Sequence, residues 1–482
     1  MQTASRAWAF EEFGGARLGD RRRIARLVAI AEDVALSPVS IVSDALRDDA
    51  ARQAAYDFLE GKAVLSSAVE DAAGRSCAER CSDYPFVFVP VDGTGISLSD
   101  PARKKGIGPL GPAEQGRGLK AVSAMAISPD GVPLGLAGQQ LWIREARHHT
   151  SHAERKQADR RRPREERESE QWATLIKRVG GRLRHAKAKP WWIIDREADA
   201  QTVLSALWET EGLFTVRANH DRIVGKAQEK RGTGQRARPF LRQRHLRTEM
   251  GRRRSIGKYE IDVPASPKRR ARRAKLAVYA RQLTLRIRIG HARKLDVIPV
   301  NVVWLREMGT TPMGEEPLDW MLYTNHPIDT AEDIDKVVHS YKQRWLIEEF
   351  HKTWKSGGCN VERAALRGTE ALKKWATILA AVAVRIERLK HLARNEPDLP
   401  ATSELSKYEL QALLFLKRRR KKRTETIVDN PSIALATRWI ADLGGYSGTS
   451  RAGPPGAITI GRGLERVLLA AQIFEGIDRG EV

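Results

Sequence analysis

The sequence predicts an α/β protein, built on a mixed sheet flanked by helices, with a β-rich stretch in its second half and helical segments at both ends. Three observations carry this. Two short β-branched and aromatic runs each end in an aspartate, PFVFVPVD from Pro85 to Asp92 and PWWIID from Pro190 to Asp195. Between them, two further strand-like runs, Leu119 to Ile127 and Val132 to Trp142, are joined by Ser128-Pro129-Asp130-Gly131, which has strong turn chemistry. Beyond Asp195, helical and strand text alternate. Strands first in a meander and then alternating with helices imply a mixed sheet between helices.

Taken in order, Leu18 to Leu36 has Ile24, Leu27, Val28 and Ala31 at helical spacing behind Asp20, a suitable N-cap. Arg21, Arg22, Arg23 and Arg26 lie at the start of this helix, where they oppose its dipole. Phosphate contacts account for them; a solvated charged face is the other reading. A buried strand ends at Asp92, the meander follows, and a charged helical stretch through Trp172 leads to the strand ending at Asp195. A helix from Ala200 to Thr210 and a strand from Leu213 to Ala218 come next. From about His220 to Leu318 no long helical period is visible and alternating text such as LTLRIRI and VIPVNVVWL suggests a β-rich insertion. Within it KRRARRAK, Lys268 to Lys275, is expected to form a mobile DNA-facing loop. A strand, WMLYT, precedes a long helix starting near Thr330. The last hundred or so residues are helical, with a basic run from Lys417 to Arg423 and an apolar helix from Leu464 to Phe474.

The chain has 482 residues, 41% of them hydrophobic, enough for two or three domains. Its 84 Lys and Arg against 60 Asp and Glu leave a formal charge of +24, which calls for a large anionic partner. Nucleic acid is the expected partner and membrane is not, because the apolar run Ile378 to Val384 is far short of the ~20 residues of a spanning helix. The N-terminus lacks the basic start and apolar run of a secretory signal, so a cytoplasmic protein is expected. Cys77, Cys81 and Cys359 are too few for a Cys-only zinc site and read as reduced structural thiols.

The chemistry centres on YKQRWLIEEFHKTWK. On a regular helix Tyr341, Arg344, Glu348, Lys352 and Lys355 fall on one polar stripe, opposite Leu346, Ile347, Phe350 and Trp354, so Glu348 is expected to face outward among cations. Glu349 sits about 100° away and is the weaker candidate. Asp92 and Asp195, each at the expected C-terminal end of a strand, could join Glu348; as turn or cap residues they could equally be structural, and the helix could be a surface helix laced with i,i+4 ion pairs. Three such carboxylates can hold two divalent ions ~3.5–4 Å apart for phosphoryl transfer on DNA. Hard oxygen ligands favour Mg2+, with Mn2+ as substitute, over zinc. Arg344, Lys352 and Lys355 would neutralise phosphates, and Tyr341 would donate a hydrogen bond to one.

DGT at Asp92 to Thr94, DREAD at Asp195 to Asp199 and the Tyr-x2-Arg-x3-Glu-x6-Lys spacing from Tyr341 to Lys355 resemble the DDE transposases of bacterial insertion sequences. More narrowly, the chain is similar to the hairpin-forming cut-and-paste branch that carries this Tyr-Arg-Glu-Lys signature. The similarity runs nearly end to end, from LGDRRRIAR at Leu18 to QRWLIEEFHKTWKSG at Gln343 to Gly357. It implies an RNase H-like catalytic core over 73–372 with a β-strand insertion at about 220–318, a helical end-binding domain over 1–72 and a helical dimerisation domain over 373–482. It further implies that Asp92, Asp195 and Glu348 bind the metals and that Trp320 stacks on a base flipped from the cut end. Arg22, Arg23 and Arg26 would help read the transposon end, and a homodimer would cleave the paired ends in trans before joining them to target DNA. Trp345 reads as packing.

Two other functions share these features. An RNase H-like nuclease would use the same carboxylates without strand transfer, and a basic DNA-binding regulator would bind without metal. A zinc hydrolase built on His148 and His152 is the weakest alternative, because that i,i+4 pair lacks the glutamate of a zincin motif.

Overall fold

A computed structural model describes the chain apart from residues 1–3, 47, 101–104, 112–115, 146–162, 164–166, 227–243, 253, 264–269, 290–293, 421–424, 450–452 and 481–482. His148 and His152 fall outside the described residues.

The N-terminal helices are α1 (Ala4–Phe13), α2 (Arg21–Leu36), α3 (Val42–Ala45), α4 (Asp49–Glu60) and α5 (Ser66–Cys81). The cap expected for α2 forms: the Asp20 carboxylate accepts from the Arg22 N–H at 2.8 Å, and Leu27, Val28, Ile30 and Ala31 are buried. The sheet begins with β1 (Val87–Ser97), β2 (Gly108–Pro109), β3 (Arg117–Ile127) and β4 (Pro133–Trp142). Next come α6 (Glu168–His185), β5 (Pro190–Ile194), α7 (Gln201–Glu209) and β6 (Leu213–Arg217). The predicted meander is present, with β1 antiparallel to β3 and β3 antiparallel to β4. β5 then pairs parallel with both β1 and β6.

The β-rich stretch contains β7 (Ile223–Lys226), β8 (Arg244–His245), the short helix α8 (Leu246–Gly251), β9 (Gly257–Val263), β10 (Arg272–Ile289) and β11 (Lys294–Glu307), followed by β12 (Asp319–Thr324). Rather than standing apart, these strands extend the same sheet, because β12 pairs with β6 and β11 in turn with β12. The segment expected as a loop at Lys268 to Lys275 is corrected in part. Arg272 to Lys275 start β10 and pair with Glu260 to Val263 of β9, where alternation of Ala274 and Leu276 into the core outweighs the repulsion of neighbouring basic side chains.

The chain ends in α9 (Ala331–Lys342), α10 (Trp345–Lys352), α11 (Thr369–Asn395), α12 (Lys407–Arg419), α13 (Ile433–Leu443) and α14 (Ala457–Asp478). Thr330 caps α9 in a reciprocal capping box with Asp333. The apolar run Ile378 to Val384 is buried within α11, and no helix among the described residues is long and apolar enough to cross a membrane. The three cysteines are buried and free.

Two cores lie on opposite faces of the sheet. Val87, Val89 and Val91 point to the face covered by α6 and α7, whereas Phe88 and Ile96 point to the face that buries Ile347, Phe350 and the apolar side of α11. Period-2 alternation therefore sends Asp92, of the same parity as Phe88, toward α10. The same parity places Asp195 with Trp191 and Ile193 on that face.

Candidate active site

Three neighbouring strands bring the first residues together. Val91 is opposite Ile194 in the β1–β5 pair, and Ile194 is opposite Val216 in the β5–β6 pair. The next residue on each strand gives a row of Asp92, Asp195 and Arg217. The expectation that Asp92 ends its strand is corrected: β1 runs on to Ser97, held by antiparallel pairing to β3, with Asp92 opposite Ser123. Only its pairing with β5 stops there, and that is where the carboxylate becomes accessible to a ligand. Asp195 does follow the last residue of β5, directly before a short turn, Arg196 to Ala198.

The signature segment is not the single helix that its spacing suggests. A tight turn separates α9 from α10, with i→i+3 bonds from the Gln343, Arg344, Leu346 and Ile347 N–H groups to Ser340, Tyr341, Gln343 and Arg344. After Lys352 the segment widens into a π-helical turn, Thr353–Gly357. Tyr341 continues the buried stripe of α9 made by Ile334, Val337 and Val338 and is 3% exposed. Its hydroxyl donates to Asp195 Oδ1 at 2.9 Å. Arg344 Nη1 donates to Glu348 Oε1 at 2.5 Å and lies 3.8 Å from Asp195 Oδ2, so one guanidinium joins the second aspartate to the glutamate. Lys355 reaches Thr94 Oγ1 at 3.4 Å and Glu362 at 3.5 Å, while Lys352 is exposed. Trp320, half-buried on β12, packs edge-on against Tyr341 with ring centroids 5.2 Å apart. Trp345 is not a packing residue: the turn before α10 leaves it 51% exposed.

Charge in the site is uneven. Burial would push the Asp195 carboxyl up, but Arg344, the Arg196 N–H, the Tyr341 hydroxyl and Arg217 together hold it below its ordinary value. Glu197 shifts the other way, pushed up first by burial and then by Asp92 and Asp195. Carboxylate oxygens are the kind of ligand that suits a hard divalent cation. Asp92, Asp195 and Glu348 are the candidate donors, with the Arg344 guanidinium between the last two, so that ligand atoms of the three do not all lie within 4.8 Å of one another.

Residues that pattern alone did not reveal join the same site. His351, one turn beyond Glu348, places Nδ1 3.5 Å from Asp92 Oδ2, and its Nε2 is buried with no partner among the described residues. Arg217 lies 3.8 Å from Asp195 Oδ1. The strand predicted at Leu213 to Ala218 held the signal for Arg217, but only register identifies its neighbour. Glu349, adjacent to Glu348, points toward α11. Its carboxylate meets Lys390 Nζ and His391 Nε2, each at 3.0 Å; burial would push it up, but the hydrogen bond with His391 and the Lys390 ammonium hold it down at about 2.

In the N-terminal helices, Arg22 and Arg26 are exposed on α2 and Arg23 is half-buried, donating to the Leu18 carbonyl at 3.1 Å. The three line a groove with Asp57, Phe58, Gly61 and Val64 from the end of α4. Such a basic groove can receive a phosphate backbone. Residues 5–64, which hold this groove, match the family model described as transposase DNA-binding, and the match supports a DNA-binding protein of the transposase kind.

Proposed function

We propose that the chain is a DDE transposase of the cut-and-paste, hairpin-forming branch, which excises an element and joins its ends to target DNA. The observation that carries this reading is the convergence of Asp92 and Asp195, side by side on parallel strands, with Glu348 across Arg344. The strand order β4-β3-β1-β5-β6, with its first three strands antiparallel and its last three parallel, is compatible with an RNase H-like core and supports the same reading. On this reading β7 to β11 are an insertion between the second aspartate and the glutamate.

Asp92, Asp195 and Glu348 would hold Mg2+, or Mn2+ in its place. Two such ions supply an activated hydroxyl and a stabilised leaving oxygen. The chain's own residues do the rest. Tyr341 and Arg217 orient Asp195, His351 faces Asp92, and Arg344, held between Asp195 and Glu348, adds positive charge for the strand being cut. Lys355 and the exposed Lys352 extend that positive surface along the backbone, and Trp320 offers an aromatic face beside it for a displaced base. Arg22, Arg23 and Arg26 grip the element end. A homodimer accounts for the exposed apolar side chains of α14, Leu469, Ile473 and Ile477, at helical steps of four.

The test is incubation of the protein and of Asp92→Ala, Asp195→Ala and Glu348→Gln with Mg2+ and a plasmid carrying the element's ends. Excision and joining by the parent, lost by at least 1000-fold in each variant with DNA binding retained, is the expected result. Unaltered cleavage by Glu348→Gln refutes the triad. Cleavage without joining makes the protein a nuclease, and metal-independent binding alone makes it a regulator.

A further inference from the structure

Glu349, Glu387 and His391 form a second cluster of metal-ligating groups, with one ligand atom from each lying within 4.8 Å of the others. A divalent ion is not what it holds. Lys390 already places its ammonium on both carboxylates, 3.0 Å from Glu349 and in direct contact with Glu387. The cluster is thus a closed set of charges with its own cation.

Its location gives it a use. Glu349 belongs to α10 and is the residue after Glu348. Lys390, His391 and Glu387 all belong to α11. Glu387, 1% exposed at its side chain, also accepts from the Thr353 hydroxyl at the first residue of the π-helical turn. Trp354 Nε1, one residue further, donates to the Ala376 carbonyl of α11 at 2.9 Å. Polar bonds of fixed direction therefore hold both the middle and the end of the Glu348 segment against α11. Apolar packing of Ile347 and Phe350 secures the separation of the two helices but leaves rotation and sliding softer, because dispersion contacts have no preferred direction. Hydrogen-bonded charge pairs remove that freedom. Glu349 projects about 100° from Glu348 on the same turn, so any rotation it prevents is a rotation of Glu348 away from Asp92 and Asp195.

We infer that Glu349 is a positioning residue, which through Lys390 and His391 of α11 sets the rotation of α10 and so the placement of Glu348. The inference rests on the proposed metal-binding role of Glu348, and the experiment separates the two.

Mn2+ binding to the full chain, free of DNA, is measured by calorimetry for the parent, Glu348→Gln, Glu349→Ala, Lys390→Met and the Glu349→Ala/Lys390→Met pair, with thermal unfolding of each. Both single variants of the node should weaken Mn2+ about 10-fold at unchanged stoichiometry, as removal of a supporting partner does. The pair should weaken Mn2+ by less than the product of the two single effects, because both break the Glu349–Lys390 contact. Should Glu349→Ala fail to fold, Glu349→Gln replaces it with the same expectation. Parent-like Mn2+ affinity in folded Glu349→Ala, with Glu348→Gln weakened, overturns the positioning role and leaves the triad standing. Parent-like affinity in Glu348→Gln overturns the triad and this inference with it. Tighter Mn2+ binding by Lys390→Met would mean that the node itself takes the ion, and would likewise overturn the inference.

Discussion

Asp195 is the most constrained of the three carboxylates. Tyr341, Arg344 and Arg217 approach it from α9, the turn before α10 and β6, and each favours its ionised form. Tyr341 is buried and its hydroxyl is held in the protonated form, first by burial, so it acts as a donor. Tyr341→Phe removes that donor and nothing else. A hydrogen bond to a charged group contributes roughly 1.5–3 kcal/mol, and Mg2+-dependent cleavage is expected to fall about 10-fold while the fold, followed by circular dichroism, is kept. Cleavage at the parent rate would show that Arg344 and Arg217 suffice to orient Asp195.

At the scale of elements, α11 is the common support. Besides its contacts with α10, it closes the junction between α4 and α5, where the matched N-terminal segment ends. Fully buried Lys374 donates to the Leu59 and Gly61 carbonyls at 2.9 and 2.8 Å, completing the C-terminus of α4. One turn earlier, Glu370 accepts from the Ser66 N–H and hydroxyl at 3.2 and 2.9 Å, capping α5, whose own N-cap residue Leu65 has no capping side chain. Each charge has the sign that the adjoining helix dipole favours. Lys374→Met leaves buried carbonyls unpaired and should destabilise the protein by about 1–3 kcal/mol in urea unfolding. Glu370→Gln should cost less, about 0.5 kcal/mol, because the carboxylate is half exposed and screened. Lys373 and Ser66 outweigh burial and hold the Glu370 carboxyl below its ordinary value. Its contribution is therefore complete above the ordinary carboxylate range and is lost as pH falls through the depressed folded value. The difference between parent and Glu370→Gln should accordingly be present at pH 7 and vanish in acid; a difference that persists there would assign it to shape rather than charge.

For the whole molecule, the charge of +24 and the N-terminal groove make DNA affinity steeply salt-dependent, at specific and unrelated sequences alike. The proposed homodimer would use a different surface. Leu469, Ile473 and Ile477 are 48%, 58% and 57% exposed along one side of α14, an arrangement that a second copy would bury. Ile473→Asp should shift the complex with element ends from two chains to one in sedimentation velocity, while single-end binding changes by less than about 2-fold. An unchanged assembly would place the dimer contact elsewhere.

Local pattern was enough for the strands at Pro85 and Pro190, the Ser128–Gly131 turn, the Asp20 cap, the start of a helix near Thr330 and the candidacy of Asp92, Asp195 and Glu348, because periodicity and turn chemistry act within a few residues. The same local reading could not anticipate that the signature segment breaks before Trp345, that Arg272 to Lys275 would be drawn into β10, or that β7 to β12 would extend the first sheet. Those outcomes follow from contacts between residues far apart in the chain. The difference between Glu348 and Glu349 is of this kind: adjacent in sequence and identical in chemistry, they diverge because one meets Arg344, which also lies near Asp195, and the other faces Lys390 and His391 of α11. Helical spacing establishes that the two carboxylates point about 100° apart. Which direction leads to the aspartates was decided only when the sheet and α11 closed around α10.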